Sequence, residues 1–169
     1  RQKIGLWIFG FLCAALYVYV FFQSKFYAGM TLQFYYLAVS VYGWITWKRG
    51  KTDTQPELPV TRTSKHMAFN LLTGFLAILV IYFFILSNFT DSPLPRGDAF
   101  TTALSIVATW MLAKKLLENW LLWIVADAVS TGLYLYRGLY PTAILFTVYT
   151  LMAVLGYFQW KKSMKHQTH

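Results

Sequence analysis

The sequence has little charge. Asp, Glu, Lys and Arg make up 12% of its 169 residues, about half the share of an average soluble domain. Acidic residues are the scarcest, six against fifteen basic, which leaves a net charge of +9. There is one cysteine, Cys13, set inside an apolar run, so no disulfide can close within the chain. The three histidines, His66, His166 and His169, have no second ligand at a metal-binding spacing. No Gly-rich phosphate cradle is present, and no nucleophile or acid–base pair can be placed in mutual reach. These absences argue against a disordered chain, a secreted disulfide scaffold, a metal- or cofactor-dependent protein and an enzyme.

Apolar residues dominate instead: 57% of the chain is hydrophobic and 20% aromatic. A soluble fold of this size could not hide so much apolar surface. The apolar residues form six long runs, about Ile4–Phe22, Met30–Trp47, Met67–Leu86, Ala99–Leu112, Trp120–Tyr136 and Pro141–Trp160. A helix needs roughly 20 such residues to cross a bilayer. The runs are continuous, without the period-two alternation of barrel strands, so helices are expected. The fourth run is the weakest, being short and carrying Thr101, Thr102 and Ser105. The first begins directly after Arg1-Gln2-Lys3 and is too long and aromatic for a signal-peptide h-region.

The basic residues sit between these runs. Twelve Lys and Arg fall on the side holding both termini, the 48–65 linker and the 113–118 turn; Lys25, Arg96 and Arg137 fall on the other. The positive-inside rule makes the first side cytoplasmic, C-terminus included. That distribution explains the basic charge without nucleic acid. The expected fold is therefore all-α, integral to a membrane and multi-pass, with lipid as its solvent.

The sequence repeats itself. Phe26–Arg49 matches Leu139–Lys162 at a constant offset of 113: Tyr27 meets Tyr140, Tyr36 meets Tyr149, Gly43 meets Gly156 and Trp47 meets Trp160. Upstream, Leu6-Trp7-Ile8 matches Leu122-Trp123-Ile124, and Leu16–Tyr19 matches Leu133–Tyr136 after a slip. Spans one and two thus correspond to spans five and six, in the same direction. This predicts a parallel repeat of three-helix bundles joined by a connector helix, in 3+1+3 order. Six spans are present, so the first helix of the first bundle is expected to precede Arg1. The expected division is 1–50 for the last two helices of the first bundle, 51–96 for linker and connector, 97–162 for the second bundle and 163–169 for a cytoplasmic tail.

Polar residues at membrane depth are the candidates for function, because lipid does not accommodate them. Asp127 lies near the middle of span five, and helical spacing places Trp120 and Trp123 on its face. A carboxylate beside two indoles suits a flat organic cation. Asn119 is adjacent and could equally serve as a helix cap. In span two, Gln33, Tyr36, Ser40 and Trp44 recur at helical spacing, and Tyr149 repeats Tyr36. Trp47, Trp160 and Tyr140 flank spans and are expected to anchor at the interface. Asn70 is a weaker candidate, and Asn88-Phe89-Thr90 fits a glycosylation sequon.

Three stretches resemble the nicotinamide riboside transporter (PnuC) family. They are Leu32-Gln33-Phe34-Tyr35-Tyr36 with Val41–Trp47; Asn119-Trp120-Leu121-Leu122-Trp123 with Asp127 and Gly132–Tyr140; and Gly156–Lys161. The resemblance covers nearly the whole chain. It implies a SWEET-like fold of seven helices in a bacterial inner membrane, a homotrimer, and facilitated diffusion of a B vitamin. Nicotinamide riboside, thiamine and riboflavin are all carried within the family; the first is expected here, with thiamine the alternative. The implied site has Trp120 and Trp123 stacking on the ring and Asn119 and Gln33 bonding its substituents. Asp127 would sit beside the cation, with Tyr36, Trp44 and Tyr149 closing the pocket as the halves alternate. A membrane scaffold without a ligand is the competing reading from another class.

Overall fold

The computed structural model describes residues 5–23, 27–49 and 58–166. Six helices follow in order: α1 (Gly5–Gln23), α2 (Tyr27–Arg49), α3 (Lys65–Phe89), α4 (Pro95–Ala113), α5 (Asn119–Tyr136) and α6 (Tyr140–His166). Each covers one of the six apolar runs, except for Ile4 of the first, which lies outside the described residues. The weak fourth run becomes a full helix because it begins four residues earlier, at Pro95. Proline is well suited to that first position, where an N–H would have no partner. The last helix continues through Trp160 to His166. Part of the expected 48–65 linker, residues 50–57, lies outside the described residues.

The chain divides into two compact units. One comprises Arg1–Pro59 with Leu112–Lys115, the other Val60–Met111 with Leu116–His169. In the first, α1 packs on α2. Trp7 is buried at 4% exposure, with its ring lying over Gly43. Trp47, also 4% exposed, meets it edge-on at 5.4 Å and 89°. Trp47 also donates from Nε1 to the Ala113 carbonyl at 3.2 Å. Lys115 sits 4.4 Å over the Trp47 ring, and its Nζ donates to Leu58 O at 2.8 Å.

In the second unit, α5 packs on α6 in the same manner. Trp120 lies over Gly156 and meets Trp160 edge-on at 5.3 Å and 88°. All three residues sit 113 positions beyond Trp7, Gly43 and Trp47. This corrects the upstream register of the repeat: the counterpart of Trp7 is Trp120, not Trp123. The constant offset runs through both helices of each pair because a ring can cross this closely only where the partner is glycine. Trp47 and Trp160, 4% and 6% exposed, are bundle residues and not interfacial anchors; Tyr140, 64% exposed, is free to be one.

The rest of the second unit is joined by small residues and a short apolar core. On α4, Ala99, Ala103, Val107 and Met111 are buried at four-residue spacing. Val107, Met111 and Leu116 pack with Met67, Leu71, Phe75 and Ile78 of α3. Phe75 meets Phe100 edge-on at 5.8 Å, and Leu133 of α5 fills the space over Gly97. At one end, Arg137 Nη2 donates to Asp98 Oδ2 at 2.7 Å, and Ser92 Oγ donates to the same oxygen at 2.5 Å. Gly138, at φ +73, takes the left-handed position after α5. There the N–H of Leu139 reaches back to Tyr134 O and that of Gly138 to Leu135 O, at 2.9 and 3.0 Å. Lys115 holds the same kind of left-handed position after α4, at φ 53, without being glycine.

α3 has no buried residue. It and Tyr140–Lys165 are long and apolar enough to cross a membrane by length and composition. Ser64 caps α3, its Oγ accepting from Met67 N at 3.3 Å. The segment before it is tied to the start of α5. Leu117 N donates to Thr61 O at 2.9 Å. The N–H and hydroxyl of Thr63 both donate to Glu118 Oε2, at 2.9 and 2.8 Å.

Candidate functional site

A turn after α4 sets the start of α5, and the first residue of α5 is Asn119. It is fully buried, at 0% exposure. Its side chain does not cap the helix by accepting an N–H. Its Nδ2 instead donates to Leu116 O at 2.5 Å, which aims Oδ1 away, buried and without a partner. Positions 4, 8 and 11 beyond Asn119 carry Trp123, Asp127 and Ser130. That spacing is one face of a helix. Asp127 and Ser130 are 6% and 7% exposed, and Trp123 is half-buried.

Asp127 is the unusual member. Asp98, an acid near the far end of this helix, is neutralised by Arg137. Asp127 has no such basic partner among the described residues, and Thr131 bonds only its backbone carbonyl, at 2.9 Å. A buried carboxylate without a counter-charge is costly. It is therefore a place where a cation or a hydrogen-bond donor from outside the protein would be held strongly.

The repeat supplies an internal control. At the offset of 113, the counterparts of Asn119, Trp123, Asp127 and Ser130 in α1 are Leu6, Gly10, Ala14 and Tyr17. The α1–α2 pair builds the same Trp–Gly–Trp packing without any of the four polar or indole groups. The stripe on α5 is thus not required to pack such a pair.

The other sequence-predicted residues divide. Trp120 does not stand beside Asp127 as a free stacking surface; it lies over Gly156 and against Trp160. Its helical face had seemed shared with Asp127, but the neighbouring glycine draws the ring into the bundle. Tyr149, 44% exposed, contacts Phe146 of its own helix at 5.7 Å. Gln33 and Tyr36 are half-buried on α2, in the other unit, with Ser40 buried beneath them at 6%. Trp44 is 38% exposed and carries Lys48 Nζ 5.1 Å over its ring. Asn70 is exposed on α3, and Asn88 bonds Phe84 O at 2.8 Å. Ser130 was missed from sequence, although its position three residues after Asp127 is the arithmetic that would have found it.

Helices with apolar exposed faces, one of them carrying a buried polar stripe, are the features of a membrane protein that handles a solute. The family model described as "Nicotinamide mononucleotide transporter" matches residues 1–162. The chain belongs to that family.

Its relatives include the nicotinamide riboside transporter PnuC of Escherichia coli (strain K12), 25% identical over 190 residues, covering 98% of this chain and 80% of the relative. The PnuC of Neisseria mucosa is 25% identical over 179 residues, covering 99% and 68%. A riboflavin/roseoflavin transporter, RibM of Streptomyces davaonensis, is 25% identical over 130 residues, covering 73% and 59%. The crystal structure of the vitamin B3 transporter PnuC superposes with a TM-score of 0.72 at 24% identity, over 97% of this chain and 74% of that one. The fold is thus that of a PnuC protein.

Proposed function

We propose that this protein is a multi-pass transporter of a bacterial inner membrane that carries nicotinamide riboside into the cytoplasm by facilitated diffusion and alternating access. The observation that carries this reading is the stripe Asn119–Trp123–Asp127 on α5, buried at Asn119 and Asp127 and half-buried at Trp123, in a chain of this family. Trp123 offers an indole face to a cationic pyridinium ring. Asp127 supplies the compensating charge, and Asn119 Oδ1 an acceptor for the carboxamide N–H. Tyr149 is proposed to add a contact with substrate, and Trp120 to hold the helix that carries Trp123.

Lipid as solvent is supported by the large apolar side chains left outside. Phe69, Val80 and Phe89 of α3 are 69%, 65% and 74% exposed, a surface that water would penalise. The excess of Lys and Arg on one side supports a cytoplasmic C-terminus. The 3+1+3 order with a SWEET-like arrangement, the division at 1–50, 51–96, 97–162 and 163–169, and a trimeric assembly belong to the same proposal.

Calorimetric titration of the detergent-purified protein with nicotinamide riboside tests it. Saturable binding is expected, weakened at least tenfold in Trp123→Ala and in Asp127→Asn, with unchanged gel-filtration profiles. Tenfold corresponds to about 1.4 kcal/mol, modest against the about 2–5 kcal/mol at stake in a buried charged contact. Absence of saturable binding by folded protein would overturn the transporter reading in favour of a scaffold. Binding of thiamine or riboflavin alone would overturn the assigned substrate.

A further inference from the structure

Ser130 is the most buried hydroxyl-bearing residue in the helices of this unit. Thr101, Ser105, Thr109 and Thr147 each donate to the carbonyl four residues back, at 3.1, 2.8, 2.6 and 2.9 Å. So does Thr131, the neighbour of Ser130, at 2.9 Å. That bond is always on offer to a helical Ser or Thr. Ser130 is more buried than any of these five, at 7% exposure, and makes no such bond among the described residues. The Ser130 hydroxyl is thus not committed to the backbone of its own helix. It lies one helical turn from Asp127, a residue 6% exposed whose carboxylate has no basic partner among the described residues.

We infer that Ser130 and Asp127 together receive the ribose hydroxyls of the substrate, making Ser130 a specificity residue for the sugar. This rests on the transporter reading above and deepens it. Side chains three residues apart on a helix have Cβ atoms about 5–6 Å from each other. That is room for a vicinal diol to donate one O–H to the carboxylate and exchange a second bond with the serine hydroxyl, which both donates and accepts. A carboxylate bonded to a ribose hydroxyl is the same chemistry that dinucleotide-binding folds use.

The axial spacing fits as well. Trp123 to Asp127 is four residues, about 6 Å of helix, comparable with the step from a nucleoside's ring to its sugar. A ring stacked on Trp123 thus brings its sugar level with Asp127, one helical turn before Ser130. Tyr17, the Ser130 counterpart in α1, and Ala14, that of Asp127, offer no such pair, so the sugar would be read by one repeat only.

The test compares three ligands on the full chain by calorimetry: nicotinamide riboside, its 2′-deoxyribose analogue, and N-methylnicotinamide, which keeps the cationic ring and lacks the sugar. Wild type should bind the riboside at least tenfold more tightly than either of the others. Ser130→Ala should weaken riboside binding about fivefold to tenfold and leave N-methylnicotinamide within twofold. Equal wild-type affinity for riboside and deoxy analogue would overturn the inference, with no variant involved. So would a Ser130→Ala protein that loses both ligands in parallel or neither. In those cases riboside binding itself persists in wild type, and the transporter reading stands. Wild type that binds no riboside overturns both.

Discussion

Replacing Gly156 by alanine would place a methyl group against the ring that holds α5 to α6. A Cβ at this position lies 2.6 Å from Trp120 Cζ3 and 2.7 Å from Cε3 and Cη2. Carbon atoms settle at about 3.5–4.0 Å, so three ring atoms are an ångström too close. The ring is rigid, and Trp160 stands edge-on to it at 5.3 Å, so it cannot swing aside like the tip of a lysine. Helix propensity favours the substitution by about 0.8–1 kcal/mol. Overpacking opposes it by about 1–3 kcal/mol, and a three-atom clash with an indole belongs in the upper part of that range. The expected balance is a loss of about 1–2 kcal/mol. On the scale of proteins this size, that lowers the melting temperature by roughly 2–8 °C. Thermal unfolding in detergent, followed by tryptophan fluorescence, reads it directly. Gly74→Ala is the control, since a Cβ there meets nothing within 4 Å and only the propensity gain remains. Trp120→Leu combined with Gly156→Ala should recover part of the loss, a coupling that a double-mutant cycle isolates. A Gly156→Ala protein as stable as Gly74→Ala would refute the packing argument.

Two further outcomes follow from buried polar contacts. Lys115→Gly removes the strain of a left-handed lysine, about 1–2 kcal/mol. It also deletes the bond from Nζ to Leu58 O and the contact with the Trp47 ring, together worth about 2–5 kcal/mol. The melting temperature should fall; a rise would show that the strain outweighs both contacts. Glu118→Ala strips the N–H and hydroxyl of Thr63 of their shared acceptor, at about 1.5–3 kcal/mol, whereas Glu118→Gln keeps an acceptor oxygen. Limited proteolysis within 58–64 should therefore accelerate in the order wild type, Gln, Ala; equal rates for the two variants would rule out the carboxylate as the tether.

The failures of sequence reading share a cause. Trp123 and Trp120 are both tryptophans near the start of α5, and a three-residue match of Leu, Trp and Ile could be laid on either. Only the position of Gly156 opposite Trp120 separates them. Trp47 and Trp160 sit at helix ends, where interfacial anchoring and bundle packing call for the same residue. Their burial depends on what crosses beneath them. Ser130 went unnoticed because a lone serine in a helix ordinarily bonds its own backbone, and nothing in its neighbours announces that this one does not.

By itself the sequence determined where the six helices lie, because each is a continuous apolar run that can satisfy its backbone only internally. It also determined the repeat of α2 in α6, and that Asp127 with Trp123 is a place of interest, since a carboxylate in such a run is expensive enough to require a reason. It did not determine which face of each helix is interior. Where lipid is the solvent, outside and inside are equally apolar, and the hydrophobic contrast that marks the core of a soluble protein is lost. The interior is distinguished instead by close approach: alanines at 99, 103 and 153, glycines under indoles at 43 and 156, and polar groups at 119, 127 and 130. Those are relations between helices, so only the tertiary structure could decide them.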